Sequence, residues 1–169
     1  PLNKGYEKGM LQFYNILQWQ VKNNINTTSF FALSLDNSKK RSKDELTTIK
    51  NVINILLEDP KFEQYCIDEQ IYINIIGRYF KNNKINEERV KFDEKELDKQ
   101  DKKELLEMKR NEKELLQGIE KRITSINSNV ESPKFISNIC LFYDGQEEIS
   151  STCQEIAKLV LRKEINIDD

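Results

Sequence analysis

Residues 42–75, SKDELTTIKNVINILLEDPKFEQYCIDEQIYINI, hold the change of hydrophobic period on which the fold reading turns. Ser42 can accept a hydrogen bond at a helix start, and Glu45, three residues on, can return one, the reciprocal capping pattern. Leu46, Ile49, Ile53, Leu56 and Leu57 then recur at helical spacing, so a helix is expected from Ser42 to about Glu58, with Pro60 preventing its continuation. Beyond Pro60 the residues become β-rich. Phe62–Ile67 and Gln70–Ile75 flank Asp68-Glu69, and Ile71, Ile73 and Ile75 alternate on one face, as a half-buried strand requires. A β-hairpin over 62–75 is the expectation.

Upstream, Met10, Phe13, Tyr14, Leu17 and Val21 share one face of a helix expected over about 7–24. A short second helix is expected at Ser29–Leu35, capped by Thr27 or Thr28 and carrying Phe30, Phe31 and Leu33. Three helices followed by a hairpin is the order of a winged helix, so residues 1–80 are assigned to one such domain. Charge marks the next boundary. Residues 1–92 hold 14 Lys/Arg against 11 Asp/Glu, whereas 93–169 hold 13 against 18. The stretch 81–111 is a charged connector, partly helical, whose stripe would run through Leu97, Leu105 and Met108. Residues 112–169 read as a second, degenerate winged-helix-like domain. Its helices carry Leu115, Ile119, Ile123 and Ile126; then Phe135, Ile136, Ile139 and Phe142 after Ser132-Pro133; then Ile149, Cys153, Ile156 and Val160 over about 147–164. The expected class is mainly α with small β-hairpin wings, in tandem winged-helix-like domains.

Composition narrows the chemistry. The 169 residues contain no histidine, five glycines and three cysteines, with a net charge of −2. Histidine-based triads, dyads and zinc sites are excluded, and no glycine-rich phosphate loop can be assembled. Cys66, Cys140 and Cys153 form no C-x-x-C pair, and Cys153, on an apolar stripe, reads as a buried thiol. No stretch approaches the length of an apolar membrane span. The pairs Glu87-Glu88 and Asp168-Asp169 lack an apolar setting that would tune a carboxyl group. The chain therefore reads as a soluble, intracellular, non-enzymatic interaction module, with no catalytic, cofactor-binding or metal-ligating residue.

Two groups of residues are candidates for contact with a partner. Trp19 lies opposite the apolar stripe of the first helix with Ile16 beside it, and faces either a protein partner or the other half of the chain. Tyr79 and Phe80, just past the hairpin, pose the same choice. Lys39, Lys40, Arg41 and Lys43 cluster before the third helix and are the candidates for nucleic-acid contact. The outer face of that helix argues against a phosphate backbone, because Asp44, Glu58 and Ile55 stand there beside Thr47, Thr48 and Asn51.

The run Ile49–Leu57 followed by Phe62–Ile75 resembles the third helix and wing of the C-terminal tandem winged-helix region of the STN subunit of the telomeric CST complex, a relative of the middle subunit of replication protein A. The Asn-, Lys- and Ile-rich composition suits a ciliate telomerase-associated version. The resemblance implies a nuclear protein-docking module of telomere maintenance. Its partners would be CST or telomerase subunits and DNA polymerase α–primase, with nucleic acid bound weakly or indirectly, and an oligonucleotide-binding domain would lie before Pro1. The alternatives are a duplex-binding transcription or replication factor, or an assembly subunit outside DNA metabolism.

Overall fold

The computed structural model describes residues 2–81, 84–85 and 116–166. Helix α1 (Leu2–Lys22) leads into strand β1 (Thr27–Ser34), and three helices follow: α2 (Leu35–Lys40), α3 (Lys43–Glu58) and α4 (Pro60–Asp68). Strand β2 (Ile71–Ile76) comes next, then the short pair β3 (Phe80–Lys81) and β4 (Lys84–Ile85). Helix α5 (116–128), strand β5 (Phe135–Tyr143) and helix α6 (Gly145–Leu161) complete the order.

The three long strands form one sheet in the order β1-β5-β2, and both pairings are parallel. A parallel pair cannot be closed by a tight turn and needs a crossover. Helices α2–α4 supply the crossover from β1 to β2. This overturns the tandem winged-helix architecture, in which 62–75 was to fold back as an antiparallel wing. Among the described residues the antiparallel pairing is confined to Phe80-Lys81 against Lys84-Ile85.

Three segments exchange type, each for a local reason. Asp59 caps α4 by accepting from the Lys61 amide at 2.9 Å, and Pro60 sits in the first helical turn. The proline that stops α3 therefore starts α4, where its missing N–H costs nothing. Phe62 and Cys66, four apart, become one buried helical edge. Residues 27–34 are a strand because Thr-Thr-Ser-Phe-Phe favours extended backbone, and a short apolar run has no period to distinguish strand from helix. Residues 135–143 are likewise a strand. Phe135, Ser137 and Ile139 point to the buried face, and the run Ile139–Phe142 is buried throughout, as in an inner parallel strand.

Other elements follow their sequence signals. Ser42 accepts from the Glu45 amide, and Glu45 Oε2 accepts from the Ser42 amide at 3.1 Å, the full capping box. Those bonds hold the Glu45 carboxyl below its ordinary pKa. Ile71, Ile73 and Ile75 are buried on one face of β2. Phe13 and Leu17 of α1, Ile49, Ile53 and Leu57 of α3, and Leu116, Ile119, Ile123 and Ile126 of α5 join them in one core. Residues from both sides of the connector expected at 81–111 thus share this core, while 86–111 and the stripe through Leu97, Leu105 and Met108 lie outside the described residues.

Two polar side chains complete the packing. Gln20 is fully buried, donates to the Ile136 carbonyl at 3.0 Å and accepts from the Thr28 hydroxyl at 2.8 Å. Asn127 accepts from the Ile73 amide at 3.0 Å and donates to the Ile73 carbonyl at 2.8 Å, closing the outer edge of β2. The cysteines divide differently from expectation. Cys66 and Cys140 are buried, and desolvation pushes the Cys66 thiol up to about 12. Cys153 is exposed, because α6 buries none of its residues and turns Ile149 and Ile156 to solvent as well. Among the described residues no helix is long and apolar enough to cross a membrane.

Candidate functional site

Because β1, β5 and β2 run parallel, their carboxyl ends, Ser34, Tyr143 and Ile76, open on the same edge of the sheet. In open α/β sheets that edge is where ligands bind, since the chain leaves neighbouring strands there and helices begin there. Three segments meet at it: Ser34–Asn37, Gly77–Tyr79 and Tyr143–Glu148.

The Gly77–Tyr79 turn is the tightest of them. Gly77 has φ +159°, and a Cβ built on it would stand 1.7 Å from the Leu141 carbonyl oxygen. The Arg78 amide then donates to the Phe142 carbonyl at 3.2 Å, which locks the turn onto the end of β5. The Arg78 guanidinium donates to the carboxylate of Glu147 in the first turn of α6. Both side chains are mostly buried.

The start of α6 is built by its own cap. Asp144 Oδ1 accepts from the amides of Gln146 and Glu147 at 2.9 and 3.1 Å. Tyr143 donates its hydroxyl to Glu148 at 2.6 Å and sets its ring edge-on to Phe31, with centroids 5.6 Å apart. The bond to Glu148 holds the phenol above its ordinary pKa, with desolvation acting in the same direction. At the end of β1, Ser34 caps α2 by accepting from the Asn37 amide at 2.9 Å.

The basic cluster expected to meet nucleic acid comes just beyond this edge, on α2 and at the start of α3. Lys40 pairs with Asp36 at 2.6 Å on an exposed face, a contact worth little in water. Arg41 donates to the Tyr6 hydroxyl of α1, and its guanidinium carbon lies 5.5 Å from that ring's centroid. Lys39 lies on α2 and Lys43 opens α3.

The other candidates sit elsewhere. Trp19 is 55% exposed on α1, and Ile16 is half-buried. Tyr79 stacks edge-on against Phe142 at 5.3 Å, and Phe80 is buried in the core. With its ring outside the core, Trp19→Ala should change unfolding free energy by no more than about 0.5 kcal/mol, read from urea titration. A loss above about 1.5 kcal/mol would place the indole in a packed contact.

Sequence reading did not single out Gly77, Arg78 or Glu147. The signal was present as a glycine directly after the alternating run Ile71–Ile76, a pattern that marks close backbone approach at a strand end. Among the described residues no cluster of three acidic or cysteine side chains could hold a metal ion. An open groove lined by Tyr14, Pro60, Lys61, Gln64, Tyr65 and Asp68 lies on α1 and α4 and shares no residue with the strand ends.

Comparison with known proteins gives a consistent assignment. The prenyltransferase family model, that of undecaprenyl diphosphate synthases, matches residues 1–110. A tritrans,polycis-undecaprenyl-diphosphate synthase of Sulfolobus acidocaldarius, named as GGDP specific, is 31% identical over 77 residues, 46% of this chain and 29% of that protein. The geranylgeranyl-diphosphate-specific synthase of Sulfurisphaera tokodaii is 31% identical over 80 residues, 47% of this chain and 30% of its own length. The aligned region thus spans less than a third of these curated relatives. Among solved structures, lavandulyl diphosphate synthase from Lavandula x intermedia, in complex with dimethylallyl diphosphate, superposes with a TM-score of 0.67 at 19% identity. The match covers 99% of this chain and 57% of that one, and at this identity it speaks for the fold.

These findings overturn the resemblance to the telomeric CST subunit. With it go the non-enzymatic docking role, the telomerase and polymerase partners, and the nuclear assignment. A chain without histidine is excluded from histidine chemistry only, and the relatives found are synthases of prenyl diphosphates. The chain belongs to the undecaprenyl diphosphate synthase family of prenyltransferases.

Proposed function

We propose that the protein containing this chain is a prenyl diphosphate synthase, and that the carboxyl edge of the β1-β5-β2 sheet holds the diphosphate group of a prenyl substrate. The observation that carries the reading is Arg78, a largely buried guanidinium fixed at that edge by its own backbone and by Glu147. A diphosphate is a multiply charged anion, and a planar guanidinium recognises two of its oxygens at once. The same contact would stabilise the charge that accumulates when a diphosphate leaves carbon.

The prenyl tail requires an apolar surface continuous with that edge. Phe31 stands exposed on the sheet face opposite Phe30 and touches Tyr143 at the strand ends. The names of the archaeal relatives and of the plant structure, which all specify prenyl diphosphates, support this substrate class.

The test is calorimetric titration of the full-length protein with geranylgeranyl diphosphate and with inorganic diphosphate, alongside product analysis for a lengthened prenyl diphosphate. Saturable binding of both is expected, tighter for the prenyl compound because its tail adds apolar burial. Failure to bind either, with no lengthened product, overturns the reading.

A further inference from the structure

One residue of β5 breaks the strand. Phe142 has φ +52°, in the left-handed region, at a buried position. Among the described residues the other non-glycine positions of this kind, Asn24, Gln70 and Lys163, lie just past helix ends, where left-handed backbone is ordinary. In a strand, a bulky residue keeps that conformation only under constraint from its neighbours. The Phe142 carbonyl accepts from the Arg78 amide at 3.2 Å, and the ring stands edge-on to Tyr79.

The effect is to reverse the faces of the strand end. Leu141 and Phe142 are buried in succession, and the register with β1 slips between Leu33, which meets Leu141, and Ser34, which meets Tyr143. Regular alternation would return Tyr143 to the core side with Ile139 and Leu141. Its ring instead lies against Phe31, which is 58% exposed on the face away from Phe30. Bulges beside binding sites commonly re-aim a side chain in this way.

We infer that Tyr143, turned out of the core by the left-handed Phe142, forms with Phe31 an aromatic wall that receives the first isoprene unit of a prenyl diphosphate. This rests on the reading of the carboxyl edge as a diphosphate site. The first isoprene unit is bonded directly to the diphosphate, so it must lie against the apolar surface that adjoins that edge. Tyr143 ends the central strand there, beside the end of β1 that carries Phe31. The competing role is that Tyr143 merely braces α6 by donating its hydroxyl to Glu148. That bond needs the oxygen, whereas the wall needs only the ring.

The experiment titrates inorganic diphosphate, dimethylallyl diphosphate and geranylgeranyl diphosphate into the full-length protein and into Phe31→Ala, Tyr143→Ala and Tyr143→Phe, with thermal melts confirming folding. Phe31→Ala and Tyr143→Ala should each weaken both prenyl compounds about fivefold, the loss expected for roughly 40 Å² of apolar contact. The factor should be the same for the short and the long chain, because the wall touches only the unit they share. Inorganic diphosphate should stay within about twofold in every variant, and Tyr143→Phe within about twofold for all the ligands.

Unchanged prenyl binding by Phe31→Ala overturns the inference. That ring is exposed, so the variant keeps the test open even if Tyr143→Ala does not fold. A loss shared equally by inorganic diphosphate also overturns it, because the two residues would then be shaping the anion site. So does a loss confined to geranylgeranyl diphosphate, which would put the contact farther along the tail. A Tyr143→Phe variant as weak as Tyr143→Ala assigns the residue to bracing α6 and overturns the wall. If the parent protein binds none of the ligands, the reading of the site fails first and takes this inference with it. Binding by the parent with the wrong pattern of variants overturns the inference alone.

Discussion

Replacing Gly77 by alanine should destabilise the fold by about 3 kcal/mol or more, because the added methyl group has no space and its neighbour cannot yield. The Cβ would lie 1.7 Å from the Leu141 carbonyl oxygen and 2.9 Å from its carbon, both backbone atoms of the central strand. Relieving that clash means separating the ends of β2 and β5, which also breaks the bond from the Arg78 amide to the Phe142 carbonyl. At φ +159° the backbone there is itself unfavourable for an L side chain. Urea unfolding followed by circular dichroism should show the midpoint falling sharply. Diphosphate binding should weaken beyond what the stability loss accounts for, since the turn that carries Arg78 must move. A loss below about 1 kcal/mol would mean that the turn has another arrangement.

Phe13→Ala is the other large effect, expected at about 4 kcal/mol, the cost of removing a buried aromatic side chain together with the cavity it leaves. The Phe13 ring is 1% exposed, and its centroid lies 5.1 Å from that of Phe30 and 6.2 Å from that of Phe62. It therefore ties α1 to β1 and to α4 at one point. Tyr14 extends the cluster by meeting Phe62 at 6.1 Å and Tyr65 at 5.4 Å, both edge-on. A total stability of 5–15 kcal/mol is typical of a domain, so this one truncation should remove a large fraction of it. The same titration, with an unchanged denaturant slope, measures it. A cost under about 1.5 kcal/mol would show that the ring is not at the centre of the core.

The elements with strong periodicity or explicit caps were legible in the sequence. Ser42 and Glu45 announced α3, the stripe through Phe13 and Leu17 announced α1, and Ile71, Ile73 and Ile75 announced β2. The strands β1 and β5 were not, because a strand in a parallel sheet reads as a plain apolar run, and Phe30–Leu33 and Ile139–Phe142 carry no alternation to mark them. Once those two runs were read as helices, Pro60 became a terminator only, and α4 was read as half of a hairpin.

The site suffered from the same gap. Lys39, Lys40, Arg41 and Lys43 stood out as a basic cluster and were weighed as a nucleic-acid contact against a solvated loop. Arg78 and Glu147 are 69 residues apart, and nothing local links them. They meet because β2 pairs with β5, a tertiary fact that single-sequence patterning does not contain.

The order β1-β5-β2 has a consequence for synthesis of the protein in the cell. Ser29 of β1 meets Asn138 of β5 across 109 residues, so the first strand waits for a neighbour made much later. At the usual pace of translation, about 5–20 residues per second, β1 is without its partner for roughly 5–20 s. During that interval Phe30, Phe31 and Leu33 have no sheet to join, and β2 is made before the strand that separates it from β1. An unpaired apolar strand is a template for association with other chains. The nascent protein is therefore a natural client for chaperones at the ribosome until Tyr143 has emerged.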